Sequence, residues 1–126
     1  MARPIENILV ATSDEKESLN LSSRLRTQGF RVRQSSGGFQ TLNLLEDRKG
    51  TVTDCVIFIG PSLDEMSVHE AIIHIRTQWP SEKLCIIHLG DDQNMLFNSI
   101  SQGANHALSG KNFNDVLGRI KSVKLK

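Results

Sequence analysis

Short apolar runs recur along the chain: Ile8-Leu9-Val10-Ala11, Phe30-Arg31-Val32, Cys55-Val56-Ile57-Phe58-Ile59, Leu84-Cys85-Ile86-Ile87 and the weaker His106-Ala107-Leu108. Their length and β-branched content predict strands. Continuous apolarity in the first, third and fourth predicts strands covered on both faces, and so central in a sheet.

The segments between them carry helical spacing. Val68, Ala71, Ile72, Ile75 and Trp79 repeat at three-and-four intervals, Ser67-x-x-Glu70 forms a capping box ahead of them, and Pro80 stops the helix. Phe113, Val116, Leu117 and Ile120 make a similar stripe, with Asn112 as N-cap and lysines in the last turn. Leu21 and Leu25 anchor a first helix from Ser13 or Asp14 to Gly29, Leu42 and Leu45 a second that starts after Gly37-Gly38. Leu96 and Ile100 mark the core stripe of a fourth, closed by Gly103. Strand and helix thus alternate, which predicts an α/β fold with a parallel sheet, helices on both faces and right-handed crossovers. The stretch Arg48–Thr53 reads as a loop inside one domain spanning 1–126, with a core of about 6–123.

Charge and composition narrow the function. A formal net charge of +1, with acids and bases scattered along the chain, argues against a domain that depends on a basic field to hold nucleic acid, although a local patch remains open. The amino terminus has no apolar signal core, and no apolar run approaches the roughly 20 residues that span a bilayer, so the expected compartment is the cytoplasm. Cys55 and Cys85 sit inside apolar runs without metal-ligand spacing and read as buried structural thiols. If the third and fourth strands are parallel neighbours, these thiols lie side by side and unbonded. His69 and His74 are five apart on a helix and lack the i, i+4 geometry of a shared metal, while His88 and His106 belong to different strands. His88 reads as a hydrogen-bonded or surface ring, or as a pH-sensitive group. Trp79 reads as packing or as a partner anchor.

Local motifs add a family. Asn7-Ile8-Leu9-Val10, Gly29-Phe30-Arg31-Val32, Gly38, Asp54-Cys55-Val56-Ile57-Phe58 and Gly103-Ala104-Asn105 fall in order and at nearly the separations of the bacterial response-regulator receiver family, of the chemotaxis-regulator type. The chain resembles that family from about Ile8 to Val123. The resemblance implies a doubly wound, flavodoxin-like receiver fold with strand order 2-1-3-4-5 and a site at the carboxyl ends of the strands.

The same resemblance implies that the family's chemistry is gone. The position of the phosphoryl-accepting aspartate is Ile59, which has no nucleophilic atom. The two Mg²⁺-holding acids align with Thr12 and Ser13, weak neutral ligands for a hard cation. Asp14 could be a displaced metal ligand, but Asp14-x-x-Glu17 also reads as a helix N-cap. The switch hydroxyl aligns with Leu89, the conserved lysine with Gly110 or, after one insertion, Lys111, and the rotating aromatic with Ala107. Thr12, Ser13, Ile59, Leu89 and Lys111 are therefore read as a vestigial phosphorylation pocket. The expectation is a degenerate pseudo-receiver: no enzyme, no cofactor or metal, and signal transduction through a protein partner or self-association. In the family the fourth helix, fifth strand and fifth helix form the commonest output surface, which implies Met95, Phe97 and Ala107 as interface residues here. The alternative is a small-ligand sensor whose pocket is lined by Thr12, Ser13, Ile59, His88 and Leu89.

Overall fold

The computed structural model describes residues 2–47, 52–110 and 112–126. Five strands, β2 (Asn7–Ala11), β3 (Arg31–Ser35), β4 (Cys55–Ile59), β5 (Cys85–Leu89) and β6 (His106–Leu108), form one parallel sheet in the order β3-β2-β4-β5-β6. Counted among themselves these strands run 2-1-3-4-5, the flavodoxin-like receiver topology expected from the motifs. The connecting helices are α1 (Glu15–Thr27), α2 (Gly38–Glu46), α3 (Val68–Gln78), α4 (Gln93–Gln102) and α5 (Phe113–Ser122).

The helix starts follow the caps. Asp14 accepts from the Glu17 amide, Ser67 from the Glu70 amide, Asp92 from Asn94 and Met95, and Asn112 from Asn114 and Asp115. The N-cap of α2 is Gly37, with no side-chain cap; the next residue, Gly38, lies so close to Met66 that an added Cβ would fall 2.2 Å from Met66 Cγ. A side chain at position 38 would force Met66 to move.

Alternation along the central strands divides the core into two layers. Ile8, Val10, Cys55, Ile57, Cys85 and Ile87 pack under α1 and α5 with Leu21, Leu25, Val116 and Ile120. Leu9, Ala11, Val56, Phe58 and Ile86 pack against Val68, Ala71, Ile72 and Ile75 of α3, with Leu42, Leu45 and Trp79 at the margin. Both faces of β2, β4 and β5 are covered, which is why these strands read as unbroken apolar runs. Trp79 therefore takes the packing role of its two readings.

The core extends past the expected limits of 6 and 123. Arg3–Pro4 (β1) pairs antiparallel with Lys124–Leu125 (β7), and Ile5 and Leu125 are buried in the α1/α5 layer. Two-residue strands carry no periodicity, so nothing in the apolar pattern marks them.

Candidate functional site

The carboxyl ends of β2, β4 and β5 hold the positions singled out above. Thr12 is buried; its amide donates to the Ser35 carbonyl at 3.0 Å and its hydroxyl accepts from the Asp14 amide at 3.1 Å, so it helps start α1. Ser13 is exposed and donates to the Ser62 carbonyl at 3.4 Å. Ile59 and Leu89 are direct partners in the parallel register of β4 and β5, and the Gly60 amide donates to the Leu89 carbonyl at 2.9 Å. Gly60 has φ +86, the left-handed conformation that lets the chain turn off the sheet directly after Ile59. Two hydrocarbon side chains thus occupy neighbouring strand ends, with Leu89 buried and Ile59 packed against the same layer. Lys111 lies outside the described residues.

The single ligand pocket expected from Thr12, Ser13, Ile59, His88 and Leu89 does not form. Thr12 and Ser13 open onto a polar cleft of about 450 Å³ shared with Ser18, Gln34, Ser35 and Asp64. Ile59 and Leu89 open onto a separate depression of about 720 Å³ between the start of α1 and the β5–α4 turn. His88 belongs to neither: one residue from Leu89 in a strand, it points to the opposite face of the sheet.

There His88 is fully buried and uses both ring nitrogens. Nε2 lies 2.6 Å from the Gly60 carbonyl, which can only accept, so Nε2 carries the hydrogen. Nδ1 then has the lone pair and accepts from the Ser99 hydroxyl at 2.5 Å. Ser99 Oγ is also 3.0 Å from the Met95 carbonyl, which accepts from His69 Nε2 at 3.2 Å. The His69 ring meets His88 edge-on, with centroids 6.0 Å apart. The network ties the β4–α3 turn, β5, α3 and α4 together.

Burial pushes His88 below the ordinary histidine range; the Gly60 carbonyl opposes this and His69 adds to it. The unfolded ring binds a proton near the ordinary value of about 6.5 and the folded ring only at lower pH. Stability is therefore full above the ordinary value and is lost as pH falls through it toward the folded value. His106 shifts the same way, through burial and then Arg119. The denaturant midpoint is expected to fall on acidification from about pH 7.5 to about pH 5, and His88→Gln to flatten part of that slope. An unaltered slope in the variant would remove His88 from the account.

Ser99 also corrects the orientation of α4. Its inward residue is Ser99, not the expected Leu96/Ile100 stripe: Leu96 is half-buried, Ile100 is 47% exposed and Phe97 74% exposed. The hydrogen bond to His88 holds this polar residue inside. Of the expected interface residues, Phe97 is outward, whereas Met95 is half-buried, with its methyl against Gly90, and Ala107 is half-buried beside Leu96 and Leu108.

Of the carboxylates around Ile59 the sequence pattern singles out only Asp14, as a displaced metal ligand or, with Glu17, as a helix N-cap. Asp14 and Glu17 at the start of α1, and Asp91 and Asp92 after β5, all line the depression. Charges that look scattered along the chain gather here in space. The available signal was their position just after two central strands, where a doubly wound sheet gathers its loops.

The sequence matches no family model and no curated protein. Solved structures do match. The BeF3-activated DrrB receiver domain is similar with a TM-score of 0.76 at 22% identity, over 93% of this chain and 95% of that one. A CheY-like receiver domain protein from Methanospirillum hungatei JF-1 gives 0.79 at 18%, over 93% and 91%. The signal receiver domain of an HD domain-containing protein from Pseudomonas fluorescens Pf-5 gives 0.77 at 23%, over 94% and 86%.

Proposed function

Taking the receiver fold as the premise, we propose that this chain is a two-component-type signalling module that works through protein contacts and without phosphoryl transfer, a pseudo-receiver rather than an enzyme. The observation that carries this reading is the pairing of Ile59 with Leu89 at the ends of β4 and β5. Phosphoryl transfer at that strand end needs a nucleophilic carboxylate and anionic oxygens for Mg²⁺. Ile59 supplies no such atom, and the Thr12 hydroxyl is engaged with the Asp14 amide. Phe97 and Ile100 on the outer face of α4 leave apolar area in water, which favours a contact surface over an isolated domain. Two buried free thiols fit a reducing, cytoplasmic setting.

Incubation with acetyl phosphate and Mg²⁺, followed by intact-mass measurement, is expected to leave the mass unchanged. A stoichiometric, hydroxylamine-labile phosphoryl adduct would overturn the reading.

A further inference from the structure

The geometry points to the depression over Ile59 as a docking site for a basic peptide segment of a partner protein, one that lays an aliphatic side chain on Ile59 between flanking lysines or arginines. This rests on the protein-contact reading above and names the chemistry of the partner. The accessible floor is apolar: Ile59 and Met95 are half-buried and Pro61 is exposed. A narrow slot of about 50 Å³ continues from Ile59 and Leu89 between α1 and α5 toward Leu21 and Phe113. It has room for the tip of one aliphatic side chain.

The rim is anionic. Asp14, Glu17, Asp91 and Asp92 are all exposed there. Asp14 and Asp92 are fixed by capping their helices, while Glu17 and Asp91 form no ion pair among the described residues. Among the described lining residues the one cation is Arg24, whose guanidinium lies over the Phe113 ring at 5.4 Å. An apolar floor inside a ring of carboxylates repels phosphate backbones and anionic lipid, and attracts a cationic segment with an apolar anchor. The chain's own basic segment 121–126 is a poor occupant, because its Leu125 is buried in the core.

The test is an amide NMR titration of the folded protein with a synthetic peptide, Lys-Arg-Leu-Leu-Arg-Lys, capped at both ends. Saturable shifts are expected at the Gly60, Gly90 and Gly110 amides. Affinity should fall roughly tenfold between about 50 mM and about 300 mM salt. Replacing both peptide leucines by serine should weaken binding about tenfold, and the exposed-rim variants Glu17→Lys and Asp91→Lys should each weaken it several-fold. Absence of saturable shifts at those glycines, equal binding of the serine peptide, or shifts centred on Phe97 would each overturn the proposal. A phosphoryl adduct in the acetyl phosphate experiment would overturn the functional reading instead; no adduct together with no peptide binding would remove the docking site alone.

Discussion

Replacing Asp54 by alanine is expected to destabilise the fold by about 3–5 kcal/mol. This carboxylate is 2% exposed at the amino end of β4. Its Oδ2 accepts from the amides of Glu6 and Asn7 at 2.9 and 3.0 Å and from Asn7 Nδ2 at 3.3 Å, while Oδ1 pairs with Arg3. Alanine would leave two part-buried backbone donors without their acceptor, and would free the segment that carries β1 and Ile5. Arg3 is 43% exposed, so its side of the pair is screened. Arg3→Ala is accordingly expected to cost under about 1 kcal/mol, with Asp54→Asn, which keeps one acceptor oxygen, in between. Denaturant unfolding of the three variants measures the order. An Asp54→Ala loss no larger than that of Arg3→Ala would mean that the carboxylate does not hold this end of the sheet.

The sheet was legible because burial on both faces imposes a simple rule on sequence. Val56, Phe58, Ile57 and Ile86 all need apolar surroundings, so the strand stands out as a run. Helix starts were legible for the same kind of local reason: Asp14, Ser67 and Asn112 satisfy amides within three residues of themselves. The orientation of α4 was not, because its inward residue is polar. Ser99 is inside only because His88, eleven residues earlier and on another element, takes its hydroxyl hydrogen. Hydrophobic periodicity cannot register a buried pair of polar partners, and so it assigned the core to Leu96 and Ile100.

The candidate site shows a similar division. That Ile59 and Leu89 lack any reactive or ligating group, and that Thr12 offers only a neutral hydroxyl, follows from residue type alone. Where the space around them goes depends on side-chain direction. His88 leaves the pocket because it is one residue out of phase with Leu89. Thr12 and Ile59 open onto different depressions, and the depression over Ile59 becomes acidic through residues from two separate loops. Arg76 shows how far such tertiary relations reach: from α3 it donates to the carbonyls of Gly103, Trp79 and Leu84 and to Asn105 Oδ1, closing the sheet's other end through contacts no local pattern encodes.

Cys55 and Cys85 are expected to react with a thiol reagent at least about a thousandfold more slowly in the folded chain than in denaturant. They are direct partners in the parallel register of β4 and β5, free, fully buried and on the face covered by α1 and α5. Burial, and then the hydrogen bond with Cys85, push the Cys55 thiol up, so the reactive thiolate is scarce even before access is considered. No disulfide is expected under mild oxidation either. Paired residues on parallel strands about 4.8 Å apart send their side chains the same way, whereas a disulfide needs a torsion near 90° with the two Cβ atoms turned toward each other. Labelling should therefore require opening of the central strand pair, and the two thiols should become reactive together as denaturant is raised. Rapid labelling of either one in the native protein, or a native disulfide between them, would break the register that also sets Ile59 beside Leu89, and with it the apolar floor on which the docking site depends.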